Sequence, residues 1–371
     1  LMCGSCQANC PSGVKVLDIF LKARTFLTGY FGLPPVKRAL FRGLLKNPRL
    51  FDSVMAIAAK FQGIFTKPVN DMIGSSCARV FSGLIGGRHF APLADRPFHK
   101  TAAARDTPRG ASGLKVAFFY GCVVDKMFPH VAEAALTVFD HHGVGVFMPH
   151  GQACCGIPAL SSGDRETFES LVAANVALFG DQDFDVLVTP CATCTSTIKK
   201  IWPLMAENLP TGTQYMIREL AEKTTDISAF LIRDVGIAPV AGPEDGPTVP
   251  VTYHDPCHLK KSLGIAAEPR ALLAANPRYR LVEMDGADSC CGCGGSFTLQ
   301  HYDLSKRIGK RKRDNIVASK ANVVATGCPA CMLQIGDMLS QAGDRLAIRH
   351  PVEIYAEILA GREPGCTKTG E

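Results

Sequence analysis

The sequence of 371 residues has no uninterrupted apolar run of the roughly 18 to 20 residues needed for a bilayer-spanning helix, because Lys, Arg, Asp or Pro interrupts every candidate. A transmembrane helix is therefore not expected. No G-x-G-x-x-G opens a helix after a predicted strand, and there is no G-x-x-x-x-G-K-[ST] loop and no G-x-S-x-G elbow. This chain is accordingly expected to bind neither flavin nor nicotinamide, although a dehydrogenase needs one of them to receive a hydride. The formal charge of +6 is modest, and the basic residues are spread along the text rather than gathered in one long block. With no interleaving of basic and aromatic residues, nucleic acid is not an expected partner. No secretory leader is visible. The sequence reaches Cys3 two residues after Leu1, so its natural start is expected upstream.

What the sequence has in quantity is cysteine, sixteen residues in a chain that is 47% hydrophobic. A chain of this length buries an ordinary core without disulfide staples. The cysteines fall in C-x-x-C and C-C-G units within strand-and-helix text, not in a short loop-rich framework, which points to thiolate ligands in a reducing, cytoplasmic compartment.

Four segments are distinguishable. Residues 1–13 form a cysteine-rich stub. Residues 14–113 begin as amphipathic helices broken by Pro34-Pro35, Pro48 and Pro68, continuing to about Gly86, and end in a Pro- and Gly-bearing linker from Arg88 to Gly113. Residues 114–245 alternate strand and helix: strands at 115–120, 144–148 and 185–189, helices at 131–141 and 167–179. The same order returns in residues 246–371, with strands at 249–253, 281–284 and 322–325 and helical stretches at 269–275 and 302–318. Such alternation predicts an α/β fold with mostly parallel sheets.

The cysteines repeat with it. In the first half 31 residues separate Cys122 from Cys154, and 35 separate Cys155 from Cys191, which begins Cys191-Ala-Thr-Cys194. In the second half 32 separate Cys257 from Cys290, and 36 separate Cys291 from Cys328, which begins Cys328-Pro-Ala-Cys331. Five cysteines in the same order, matched to one residue, indicate a duplicated domain with one site per half. In each half the single cysteine, the C-C-G and the C-x-x-C follow successive strands, so they share the sheet edge where open α/β folds gather ligands. A C-C pair needs a tight turn to aim both thiols at one site, and Gly156 and Gly292 supply the backbone freedom for it. A C-x-x-C that opens a helix places its thiols near free N-H groups and the positive dipole end. Five soft thiolates suit an iron-sulfur cluster better than a lone zinc, which closes at four. Zinc on four of the five, or reduced buried thiols, is the alternative.

GCVVDK at Gly121, QACCGIPALSSGD at Gln152, TPCATC at Thr189, YHDPCHL at Tyr253, CCGCGGSF at Cys290 and GCPACMLQ at Gly327 together resemble the cysteine-rich CCG domain family over about residues 115–355. That family includes a cluster-bearing subunit of heterodisulfide reductase and the iron-sulfur subunits of glycolate oxidase, lactate-utilisation and anaerobic glycerol-3-phosphate dehydrogenase complexes. The resemblance implies a duplicated CCG domain of two pseudo-symmetric α/β halves, and a 4Fe-4S cluster, of non-cubane type in some members, at each complete five-cysteine set. Cys293, inside CCGCGG, is an additional thiol, either a spare ligand or a buried free cysteine. Cys3, Cys6 and Cys10-Pro11 look like the last three cysteines of a ferredoxin run C-x2-C-x2-C-x3-C-P, the remnant of a 4Fe-4S ferredoxin module whose clusters would draw further ligands from upstream.

His254, Asp255 and His258 flank Cys257 and read either as groups that orient the thiolate, tune a potential or carry protons, or as strand-end hydrogen-bonders. The basic stretch Lys306 to Arg313 reads as a solvated helix face rather than a docking site. The amphipathic helices between Phe31 and Phe65 are expected to pack on the ferredoxin module or a partner, with an anionic membrane surface as the alternative. The favoured reading is an electron-relay subunit of a glycolate- or D-lactate-type dehydrogenase, carrying electrons from an FAD-containing subunit toward quinone or another acceptor, peripheral to the cytoplasmic membrane face. Disulfide chemistry at a cluster, as in heterodisulfide reductase, and a zinc-bearing interaction module are the other two readings.

Overall fold

The computed structural model describes residues 2–79, 87–239 and 247–361. The boundary expected at 245/246 and the end of the helical stretch at Gly86 lie outside the described residues. Two open sheets dominate. The first runs Arg105–Asp106, Gly145–Met148, Lys115–Phe118, Val186–Thr189, Thr224–Asp226, and the second Tyr279–Leu281, Val249–Tyr253, Val323–Ala325, Ala347–Arg349. Apart from the first strand, which pairs antiparallel, every pairing in both sheets is parallel. Numbered within each half, both sheets have the order 2-1-3-4. The crevice beyond the first and third strands, where connections diverge to opposite sides, is the usual ligand position of such a sheet. The duplicated α/β architecture is thus present at the level of topology.

The central strands are apolar on both faces because helices cover both sides. Val116, Phe118, Val138, Phe139 and Val188 meet Phe230, Leu272 and Val352 in one core, so residues of both halves are buried together. The helix packing is reciprocal. Ile227–Arg233, after the last strand of the first half, packs on Ala267–Ala274 of the second, and Pro351–Leu359, after the last strand of the second, packs on Pro129–His141 of the first.

The N-terminal helices are Val16–Phe31, Pro35–Arg38 continuing into a π-helical stretch Ala39–Leu45, and Pro48–Phe65. Pro35 and Pro48 stand in first turns, where a missing N-H costs nothing. Leu21 is fully buried against the first half, and Arg24 and Thr28 bond the carbonyls of Ser161 (3.0 Å) and Ser162 (3.4 Å).

Three expectations need correction. Residues 66–78 are not helical but form a hairpin, Thr66–Asn70 and Ser75–Ala78, joined by His89–Phe90. Pro68 is tolerated there on an outer strand whose register slips between Pro68 and Asn70. Contacts distant in sequence hold the small sheet: Ser75 to Ser340 (2.6 Å) and the His89 amide to Asp337 (2.8 Å). The linker is not structureless either, since Arg105–Asp106 adds the antiparallel edge to the first sheet and Phe98 is fully buried. The strand expected at 281–284 is Tyr279–Leu281, because its ladder with Val249–Val251 ends where the chain turns into the cysteine loop.

Candidate metal centre

In the first half Gly121, at φ +77°, turns the chain from strand into helix Cys122–Met127, and a Cβ there would lie 3.2 Å from the Cys194 sulfur. Cys154 and Cys155 occupy a turn closed by Gly156 at φ +91°. Two buried side chains hold that turn. Asn175 accepts from the Ala153 amide (3.0 Å) and donates to the Cys154 carbonyl (3.1 Å), and Trp202 donates to the Cys155 carbonyl (2.9 Å). Cys191 caps helix Ala192–Ser196, with Cys194 inside it. The Cys122 and Cys154 sulfurs are 3.6 Å apart, and Cys155 is hydrogen-bonded to both Cys154 and Cys194.

The second half repeats this. Gly292 takes φ +94°, and its amide reaches the Cys290 sulfur at 3.3 Å. Cys291 and Cys331 lie 3.4 Å apart. Cys328 caps Pro329–Gln341 with φ −140° and ψ 109°, against −140° and 106° at Cys191. Cys257 starts helix Cys257–Leu263, and its thiol is pushed up by burial and by neighbouring Cys291 and Cys290.

The two sets also touch. The Ala192 amide donates to the Gly327 carbonyl (3.0 Å), Thr193 Oγ1 is 3.4 Å from the Cys328 sulfur, and the Cys191 and Cys328 thiols are hydrogen-bonded. Sulfur contacts therefore run unbroken through Cys122, Cys154, Cys155, Cys194, Cys191, Cys328, Cys331, Cys291 and Cys290, with Cys257 beside the last members.

Each buried thiol that is lowered lies between two that are raised. Cys155, held by Cys154 and Cys194, and Cys291, held by Cys290 and Cys331, are lowered because neighbouring S-H groups donate to them. Cys154, beside Cys122 and Cys155, is raised, as are Cys194 and Cys331 by their thiol neighbours and burial. Such a group ionises fully only around a cation, and an all-sulfur donor set selects a soft one. The residues thus fit an iron-sulfur group in each set.

The family model for the cysteine-rich domain CCG matches residues 116–199 and again residues 251–336, one match around each set. The chain carries two CCG domains. Among curated proteins it is 36% identical over 234 residues to a fumarate reductase (CoM/CoB) subunit of Methanothermobacter marburgensis, covering 62% of this chain and 43% of that protein. It is 28% identical over 346 residues to a Bacillus subtilis protein named "Probable glycolate oxidase iron-sulfur subunit", covering 90% and 76% respectively. To the lactate utilization protein A of an Exiguobacterium species it is 29% identical over 244 residues, covering 65% and 97%. The chain spans less than half the length of the archaeal relatives it matches.

Around the second CCG domain, His254 and Asp255 are buried. Asp255 is structural, paired with Arg270 (2.7 Å) and Lys260 (3.3 Å). Burial, aided by the nearby Lys312 charge, pushes His254 down to about 3. His258 bridges Thr193 Oγ1 (3.0 Å) and the Met2 carbonyl (3.1 Å), tying the stub to both CCG domains. Within the stub, Cys3 is hydrogen-bonded to Cys290, which together with burial pushes it up to about 12, whereas Cys6 is exposed and Cys10 half-buried. Cys293 is half-buried beside the second set, and burial raises it.

The basic helix is not uniformly solvated. Lys312 is 1% exposed, and its ammonium donates to the carbonyls of Gly286 (2.6 Å) and Ala287 (3.1 Å), pinning the loop before Cys290. The signal was present, since Ser305, Gly309, Lys312 and Ile316 lie at helical spacing on one buried face. Sequence reading also missed a charged knot beside Cys122. There the buried Lys126 meets Asp52 (2.6 Å), Asp125 and His99 Nδ1 (3.1 Å), and Asp125 accepts from the His99 amide (2.8 Å). The carboxylates and imidazole are close enough to suggest a metal site, but the Lys126 ammonium takes that role.

Proposed function

We propose that each CCG domain holds an iron-sulfur cluster on its five cysteines, Cys122, Cys154, Cys155, Cys191 and Cys194 in the first and Cys257, Cys290, Cys291, Cys328 and Cys331 in the second, and that the chain relays electrons within an oxidoreductase complex. The unbroken line of sulfur contacts joining the two sets supports this most directly, because it puts the two redox centres within contact of shared ligand loops. Clusters supply one-electron chemistry, while the protein fixes their spacing, burial and hydrogen bonding. Relatives named for glycolate oxidase and lactate utilisation favour a 2-hydroxy-acid dehydrogenase, with an FAD-containing subunit as electron donor. The stub cysteines Cys3, Cys6 and Cys10 belong to ferredoxin-type clusters in that assembly.

The acceptor side is read from the N-terminal helices. Residues 14–79 carry eleven Lys and Arg against three Asp, more positive than the whole chain at +6. The same segment exposes Phe26, Tyr30, Phe31, Val36, Ile57 and Ile64, each at least half accessible. A basic surface with protruding aromatic and aliphatic side chains suits an anionic lipid face, and quinone as the acceptor. Among the described residues no helix is long and apolar enough to cross a membrane.

The kinship with a CoM/CoB fumarate reductase and the completeness of both cysteine sets favour a second reading, disulfide chemistry at the clusters. Anaerobic co-purification separates the two. Recovery of a flavoprotein with glycolate- or lactate-dependent dye reduction supports the relay. Thiol-disulfide turnover by the chain without such a partner supports the second reading and rules out the first.

A further inference from the structure

Three buried or half-buried histidines approach the cysteine sets, and the partners of each ring fix where its lone pair points. His258 has both nitrogens engaged, by Thr193 and by the Met2 carbonyl. His350 Nδ1 accepts the Val352 amide (3.2 Å), so in the neutral ring the proton sits on Nε2 and no lone pair is free. His254 is the reverse case. Its Nδ1 faces the Ala287 carbonyl at 3.2 Å, and a carbonyl only accepts, so Nδ1 carries the proton and Nε2 keeps its lone pair. The ring is 1% exposed, and Nε2 has no hydrogen-bond partner among the described residues.

One ring nitrogen of His254 and the sulfurs of Cys291 and Cys331 lie within 4.8 Å of one another. With Nδ1 committed to a carbonyl, the free nitrogen is Nε2. A ligating histidine characteristically donates its other N-H to a carbonyl or carboxylate, which fixes the ring and its tautomer. That carbonyl is itself anchored by the Lys312 ammonium (3.1 Å), and the His254 amide is held by the Ala325 carbonyl (2.9 Å). The first CCG domain has no equivalent. Three residues before Cys122 stands Phe119, fully buried with its ring 6.1 Å from that of Phe179, where three residues before Cys257 stands His254.

We propose that His254, through Nε2, is an iron ligand of the second CCG domain, giving its cluster a mixed thiolate and imidazole donor set while the first cluster is bound by thiolates alone. This rests on the reading that the second cysteine set holds iron.

The test is pulsed electron paramagnetic resonance on the anaerobically prepared full chain, with iron measured in parallel, in unlabelled protein and in protein labelled with 15N-histidine. Directly coordinated 14N coupling that converts to a 15N pattern on labelling is expected, lost in His254→Phe, which copies the first domain, and kept in His258→Ala and His350→Gln. Second-site iron without histidine nitrogen coupling, or coupling that survives His254→Phe, overturns the proposal. Should His254→Phe fail to load the second site, loss of the coupling in His258→Ala or His350→Gln overturns the assignment instead, and its retention in both supports it. Absence of second-site iron from the native chain would instead contradict the cluster reading itself.

Discussion

At the scale of single residues, the two glycines that close the C-C turns have no substitute. Both lie in the left-handed region, and a Cβ would meet Phe168 at 2.7 Å from Gly156 and the Ser305 carbonyl at 2.6 Å from Gly292. We expect Gly292→Ala to lose the iron of the second set and leave the first loaded, and Gly156→Ala to do the converse, as iron content per chain will show. Asp226 offers a test of burial. Its Oδ1 accepts the Ser228 amide (2.8 Å), Oδ2 has no partner among the described residues, and burial lifts its pKa from 3.8 to about 7. The folded state therefore holds a proton that the unfolded chain releases between those values, so this carboxyl costs stability as pH rises from about 4 to 7 and no more above that. Asp226→Asn keeps the accepting oxygen. It should gain roughly 2–4 kcal/mol over the native chain at pH 8, with the gain vanishing near pH 4, in denaturant titrations across that range; a gain that grows as pH falls would contradict the argument. The cysteines were legible because five of them recur at matched spacing, whereas Asp226 and His350 were not, since a lone polar residue shows neither its partners nor its burial.

At the scale of elements, the Lys126 knot fastens helix Pro48–Phe65 to the first CCG domain. Lys126→Met would leave Asp52 and Asp125 facing each other without their cation, at a cost of roughly 2–4 kcal/mol because Asp52 is partly solvated. Adding Asp52→Asn should recover part of it, and cleavage within residues 48–65 by limited proteolysis should rise in the single variant and fall back in the double; equal proteolysis in all three would exclude a fastening role. The first and third strands of each CCG domain were readable because their apolar runs coincide with local propensity, whereas the fourth strands, Thr224–Asp226 and Ala347–Arg349, were not read from the sequence. The small sheet of Thr66–Asn70, Ser75–Ala78 and His89–Phe90 was not, because it is held by Ser340 and Asp337, more than two hundred residues away. Likewise the linker's edge strand depends on pairing with Phe147 and Met148, which a linear reading does not bring alongside.

For the whole molecule, positive charge and exposed apolar side chains share one segment, while residues 114–371 are net negative, with 24 Lys and Arg against 29 Asp and Glu. Binding to vesicles of phosphatidylcholine with phosphatidylglycerol should exceed binding to phosphatidylcholine alone, weaken with added salt, and drop on replacing Phe26 and Phe31 with Glu. Equal binding to both vesicle types would contradict an electrostatic lipid face. The duplication itself was the most legible feature, since topology, cap geometry at Cys191 and Cys328, and reciprocal helix packing all repeat what the spacing implied. That the two sets join along one line of sulfurs was not legible, because nothing in either half announces the Ala192 to Gly327 contact. The most direct test of the account is iron and acid-labile sulfide per chain in anaerobically prepared protein, alone and with Cys155→Ser or Cys291→Ser. Two loaded CCG domains predict about eight of each in a brown protein, with each substitution removing about half, whereas a colourless chain holding zinc and no labile sulfide would contradict it.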